Sequence, residues 1–133
     1  MSRANVEIVR QAIEAVNSGG PDAGLDIYTP DVEFREDPKF PEAQTYRGRE
    51  AVVRNFHEFR AAFEDYHLDI EELRDVGENR VLALLQESAK GRSSGLPVSR
   101  RPGLVVTLRG DRVACLEIYL NSDDALEAVR LRE

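Results

Sequence analysis

The sequence predicts a small α+β domain built around a pocket. Apolar residues recur at helical spacing as far as Phe63. Beyond Glu64 the pattern changes to strand-like runs separated by short turn signals. Between the two regimes lies Asp31 to Phe63, DVEFREDPKFPEAQTYRGREAVVRNFHEFRAAF. It reads as a short strand (Val32 to Arg35), an irregular loop opened by Asp37-Pro38, and Tyr46-Arg47-Gly48 launching an amphipathic helix. That order sets a carboxylate and a Tyr-Arg pair beside one strongly apolar helix face. Consecutive strands with short links pair antiparallel, so an antiparallel sheet is expected beside the helices.

Each element has its own signal. Val6, Val9, Ile13 and Val16, with Ala12 on the same flank, predict a first helix from about Asn5 to Asn17. It stops at Gly19-Gly20, where glycine accepts a left-handed cap. Pro21 opens a second, short helix through Leu25, Ile27 and Tyr28, which Pro30 ends. The third, Arg49 to Phe63, carries Val52, Phe56, Phe59 and Phe63 on one stripe. Burying each phenylalanine is worth roughly 1.5–3 kcal/mol, so this face is the expected main wall of the core. Four strands follow: Tyr66–Leu73, Arg80–Ala89, Pro102–Arg109 and Arg112–Asn121. Turns at Asp75–Asn79, Gly91–Gly95 and Gly110-Asp111 part them, the last being a two-residue hairpin signal. A final helix begins after Ser122 as N-cap, with Asp123 and Asp124 at its positive end and Arg130 and Arg132 at its negative end.

Composition narrows the partners. At 133 residues the chain is expected to form one domain, 1–133, able to bury a core without staples. Its 18 basic and 25 acidic side chains give a net charge of −7, a surface that repels phosphate backbones, so nucleic acid is not an expected partner. Arg92, Arg100 and Arg101 cluster near one hairpin and read as charged gatekeepers on an exposed turn or edge. The longest apolar run, Val81 to Leu85, is too short to cross a bilayer, and Arg3 is followed by amphipathic sequence instead of a signal core. The lone Cys115 excludes an internal disulfide and offers no metal-type spacing. A cytoplasmic setting is expected. Val81 to Leu85, Leu104 to Val106 and Val113 to Leu116 are apolar at both parities, whereas a sheet with one wet face alternates. If the helices cover one face only, a second copy covers the other, and a twofold homodimer is expected.

NVEIVRQAIEAVNSGG, LDIYTPDVEFREDP, YRGREAVVRNF, the GRSSG hairpin and LRGDRVACLEIYLNSDDALEAV together resemble the SnoaL-like branch of the nuclear-transport-factor-2-like superfamily. The resemblance spans nearly the whole chain. It implies a cystatin-like cone: a curved mixed, mostly antiparallel sheet wrapped around three N-terminal helices, with a short C-terminal helix and an apolar pocket open at one end. Ketosteroid isomerases, polyketide cyclases and limonene-epoxide hydrolases share that fold with non-catalytic binding or association modules, so the fold alone does not choose. Asp37 falls where isomerases carry their Asp-Pro base. Their first-helix tyrosine corresponds to Ala12, and their protonated late-strand aspartate lies near Leu104. Both oxyanion donors are thus missing, and an enolate there lacks a stabilising partner. The aspartate–arginine–aspartate set of the epoxide hydrolases has its nearest last-strand position at Ile118. Polyketide-cyclase chemistry, which asks only for an acid/base carboxylate in a shaped pocket, is the least contradicted.

Two carboxylates are candidates for catalysis. Asp37 is a base if its loop folds over the pocket, or a turn carboxylate bonding its own backbone before Pro38. Glu87 continues the parity of Val81, Ala83 and Leu85, which the resemblance places inside. A carboxylate there either sits at the pocket mouth or needs a partner; alternatively the strand leaves the core by that point and Glu87 is solvated. The candidate substrate contacts are Tyr28, Tyr46, Arg47, Phe56, His57, Phe59 and Tyr119. Arg47 offers a planar fork to an anionic or carbonyl group, or pairs with a nearby carboxylate. Tyr46 packs over the helix start in the bland alternative. His57 stands about 100° around the helix from Phe56 and borders the apolar stripe. Tyr119 shares the parity of Glu117, toward the presumed dimer face. His57 and His67 sit on different elements, so no metal site is expected, nor is any cofactor. Gly91 to Gly95 lies between strands and reads as a β-turn, not a phosphate loop. Two functions remain: a cofactor-free acid/base enzyme of cyclase or isomerase type acting on a polyketide-like or cyclic carbonyl compound, or a non-catalytic ligand-binding or dimerisation module. Docking to a protein partner is a third reading and needs a leftover apolar patch.

Overall fold

The computed structural model describes residues 2–131. Helix α1 (Ser2–Gly19), a 3-10 turn (Pro21–Ala23) and α2 (Gly24–Ile27) lead into β1 (Tyr28–Glu36), β2 (Thr45–Arg47) and α3 (Arg49–Arg60). Five strands follow, β3 (Phe63–Gly77), β4 (Arg80–Gly91), β5 (Pro97–Arg100), β6 (Gly103–Arg109) and β7 (Arg112–Tyr119), before α4 (Ser122–Leu131). The seven strands form one curled, unclosed sheet ordered β2-β1-β7-β6-β4-β3, with β5 added to β4. β1 and β7 run parallel and the remaining pairs antiparallel. Three register shifts along β3, at Glu64/His67, Ile70/Glu72 and Asp75/Gly77, add twist and bend the sheet around the helices.

Helix α1 ends as its glycines require: Gly20 adopts φ 74 and its N–H reaches the Val16 carbonyl at 2.9 Å. Asn17 then ties the helix to the sheet. Its Nδ2 donates to the Leu68 carbonyl at 2.8 Å, and the Leu68 N–H donates to its Oδ1 at 2.9 Å. Val9 and Ile13 of α1 pack with Val52 and Val53 of α3 against Val81, Ala83 and other residues of the inner sheet face.

Several expectations need correction. Helix α3 stops at Arg60, not Phe63. Arg92 of the β4–β5 turn gathers the chain there, its backbone N–H bonding the Ala62 carbonyl and its guanidinium the carbonyls of Ala61 and Phe63 at 3.0 and 2.9 Å. Arg92 is therefore a structural clasp and not a gatekeeper. The phenylalanine stripe is not the main wall, because Val52 and Val53 are the buried face of α3 while Phe59 is 37% exposed and Phe63 begins β3. Pro30 lies inside β1 instead of ending a helix. Its missing donor falls where the β1–β7 register slips, between Tyr28 and Glu33. The side chain capping α4 is Asn121, whose Oδ1 accepts from the Asp124 N–H at 2.8 Å, not Ser122. Arg132 lies outside the described residues.

The outer sheet face has its own cover. Leu82 of β4 and Val105 of β6 are sealed by Ala125 and Val129 of α4. Gly103 lets the helix approach this closely, since a Cβ there would stand 2.3 Å from the Ala125 Cβ. The premise that helices cover one face only is thus overturned. Among the described residues, no helix is long and apolar enough to cross a membrane.

Candidate functional site

Between α1, α3 and the concave sheet face lies a cavity of about 130 Å³. Ile13 and Val16 of α1, Phe56 of α3, Leu85 of β4, Leu104 of β6 and Ile118 of β7 are typical of its lining. Polar exceptions are few: Tyr28, Arg60, Tyr66 and Glu87. A second cavity of similar size shares Phe59, Tyr66 and Glu87 with the first and adds Phe63, Ala89, Val98 and Arg100. The polar cluster therefore stands at the boundary between two apolar spaces.

Strand geometry puts it there. β4 pairs with β6 from Arg80 to Leu84 and with β5 from Glu87 to Lys90. Glu87 keeps the inward parity of Val81, Ala83 and Leu85 and is only 5% exposed. Arg100 lies directly opposite it in the β4–β5 ladder, and its Nε donates to Glu87 Oε1. Tyr66 comes from the adjacent strand, just after Asp65, which adopts φ 54 within the first β3 bulge. Asp tolerates this left-handed backbone better than most residues, and bulges re-aim neighbouring side chains. The Tyr66 hydroxyl donates to Glu87 Oε2. Arg60, the last residue of α3, stacks its guanidinium over the Tyr66 ring at 4.1 Å. Its Nη2 is buried and has no hydrogen-bond partner among the described residues.

The electrostatics follow. Burial, then the charge of Glu87 and the hydrogen bond to it, push the Tyr66 hydroxyl far above the ordinary 10.0; Arg60 and Arg100 pull the other way and lose. Tyr66 is thus held as a donor. Burial on its own would lower the Arg100 guanidinium, but the bond to Glu87 and that carboxylate's charge outweigh it and raise the group. Burial likewise raises Tyr28 well above its ordinary value. The result is a carboxylate with two fixed donors at the edge of an apolar space, an arrangement suited to moving a proton on a bound organic molecule.

Of the residues singled out from sequence, Glu87, Tyr28, Phe56 and Phe59 line the cavity. Asp37 lines neither cavity. It is 6% exposed, and its carboxylate accepts from the Lys39 N–H at 3.1 Å and the Leu120 N–H at 3.5 Å, which ties the loop after β1 to the end of β7. Tyr46 stacks on Phe34 with centroids 6.1 Å apart. Arg47 is exposed and pairs with Glu33 at 3.4 Å. His57 is exposed beside Asp22 at 2.6 Å. Tyr119 packs against the outer cluster under α4. Ala12, Leu104 and Ile118, where the isomerase and hydrolase groups would stand, all face the cavity as apolar side chains. Among the described residues, no three His, Cys, Asp or Glu side chains gather around a possible metal position.

Sequence reasoning assigns no site role to Tyr66, Arg60 or Arg100, which line the two cavities. Arg100 is no gatekeeper but the counter-charge of Glu87. Counting outward from the turn closed by the Gly91 N–H and the Leu96 carbonyl reaches both residues at once.

The family model described as SnoaL-like domain matches residues 9–116. Among solved structures, a protein from Jannaschia sp. CCS1 described provisionally as a SnoaL-like polyketide cyclase has TM-score 0.78 and 16% identity, covering 97% of this chain and 93% of its own. A Catenulispora acidiphila DSM 44928 protein with a ketosteroid isomerase-like fold, in complex with trimethylamine, has TM-score 0.75 and 17% identity over 91% of this chain and 90% of its own. TerC, co-crystallised with polyporic acid, has TM-score 0.74 and 15% identity over 96% and 98%. At such identities the likeness shows the fold alone. No curated protein matches the chain.

Proposed function

This chain belongs to the SnoaL-like domain family, and on that premise we propose that it performs cofactor-free acid/base chemistry, of cyclase or isomerase type, on a small polyketide-like or cyclic carbonyl compound. The observation that carries the reading is Glu87, buried at the cavity boundary between Tyr66 and Arg100. An apolar space near 150 Å³ is known to admit benzene, so a cavity of about 130 Å³ suits a ligand segment of about one ring. Glu87 takes a proton from the carbon beside the carbonyl and returns it elsewhere on the same molecule. In this reading Asp37 is not the proton carrier, because it lines neither cavity.

3-Cyclohexenone is a direct probe, since moving one proton from C2 to C4 gives the conjugated enone and an absorbance rise. The protein is expected to accelerate this conversion. Glu87→Gln is expected to reduce it by about 10²–10⁴-fold, the usual worth of a positioned acid/base. Equal rates for parent and variant would remove Glu87 from the mechanism. A non-catalytic ligand-binding role is the second reading, favoured by the apolar Ala12 and Leu104 where isomerase donors would stand. Ligand-induced thermal stabilisation without any conversion supports it.

A homodimer and a cytoplasmic setting belong to the same proposal. The first rests on half-buried Leu84 and Tyr119 beside α4 and on Leu120, 38% exposed; the second rests on the lone Cys115. Sedimentation as a pure monomer at micromolar concentration would rule out the dimer.

A further inference from the structure

Charge at the cavity does not balance. Glu87 is matched by Arg100, Tyr66 stays protonated, and Arg60 adds one more cation. Among the described residues, no carboxylate lies within ion-pair distance of Arg60. The Tyr66 ring covers one face of its guanidinium, and Nη2 is buried without an acceptor among the described residues. A buried donor left unmade costs free energy comparable to a lost hydrogen bond. The remaining cavity wall is apolar apart from the tyrosines and Glu87, which already pairs with Tyr66 and Arg100. No neighbour among the described residues supplies the missing acceptor, and Arg60 lines the cavity.

We propose that the natural ligand supplies it: an apolar compound of about one ring bearing a single carboxylate, which seats on Arg60 while the ring fills the cavity. The guanidinium fork matches a carboxylate in shape as well as charge. The inference deepens the proposed function by naming the substrate class of that same site, and it rests on the cavity being a ligand site. It also gives the two ends of the cluster separate tasks. Arg60 holds the anionic end, and Glu87, with its own counter-charge, is free to act on the ring.

Benzoate, benzamide and toluene share one ring and differ at one substituent, so their dissociation constants, measured by protein-observed NMR titration, form the test. Benzoate is expected to bind at least tenfold more tightly than benzamide, the size of a charge-assisted hydrogen bond. Arg60→Gln should erase that preference, and Arg60→Lys should keep part of it, which separates loss of the cation from loss of fold. Glu87→Gln should retain benzoate binding while losing 3-cyclohexenone conversion. Benzamide binding as tightly as benzoate to the parent protein overturns the carboxylate class and leaves the proposed acid/base function standing. A benzoate preference that survives in Arg60→Gln overturns the assignment to Arg60. If none of the three ligands binds, both this inference and the ligand-site reading fail.

Discussion

Arg100→Met removes the cation beside Glu87 and leaves an apolar side chain of similar reach. Glu87 is 5% exposed, so its carboxylate would keep one donor, Tyr66, and lose its counter-charge. Stripping one partner from a fully buried pair costs about 3–5 kcal/mol. The Arg100 side chain, however, is 37% exposed, and water can enter the vacated position. The low end of a charge-assisted hydrogen bond is then the better guide, about 2 kcal/mol. For a chain of this length that is a fall in Tm of roughly 6–10 °C. Urea unfolding measures it as a lower midpoint at unchanged slope. The penalty belongs to the stranded charge, so Glu87→Gln combined with Arg100→Met should recover at least half of it. The reasoning fails if Arg100→Met stays within about 0.5 kcal/mol of the parent, the scatter of ordinary surface changes. It fails equally if the double variant is no more stable than Arg100→Met alone.

Gly103→Ala would set a Cβ 2.3 Å from the Ala125 Cβ and force α4 away from the sheet. Overpacking of this kind costs about 1–3 kcal/mol, and Ala125→Gly in the same chain should return part of it in the same unfolding assay. Alkaline stability follows from Tyr66 and Tyr28, both raised above 10.0 by burial first. Below pH 10 their contribution is complete; as pH rises beyond it the unfolded chain loses those protons while the folded one keeps them. Stability should therefore fall by up to about 1.4 kcal/mol per pH unit for each tyrosine, and Tyr66→Phe should show a shallower fall. Ala12→Phe narrows the cavity from α1. It is expected to abolish the thermal shift given by benzoate, with a stability change small beside that loss.

Much of this architecture is legible before any coordinates are seen. The Val6–Val9–Ile13–Val16 period yields α1, and Gly110-Asp111 yields the β6–β7 hairpin. Counting along Val81, Ala83 and Leu85 puts Glu87 on their face of the strand, and the family resemblance places that face inside. What escapes is set by contacts distant in sequence. Whether Phe63 continues a helix or opens a strand depends on Arg92, a residue that joins it only once β4 and β5 have paired. β2 and β5 are three and four residues long and carry too little alternation to announce themselves. Without β5, nothing places Arg100 opposite Glu87. Tyr66 depends on a bulge whose only local trace is Asp65, an ordinary loop-like residue before a strand. That α4 covers Leu82 and Val105 on the outer face depends on the close Gly103–Ala125 approach, which no local pattern announces.

A carbonyl compound seated inside the curled sheet, with its reactive end at Glu87, is the claim on which the functional reading stands. An isotope-filtered NOE spectrum of the protein with 3-cyclohexenone tests it most directly. Contacts from ligand protons to the methyl groups of Ile13, Leu85 and Leu104 are predicted. Contacts confined to Leu126 and Val129 of the outer cluster, or none at all, would contradict it.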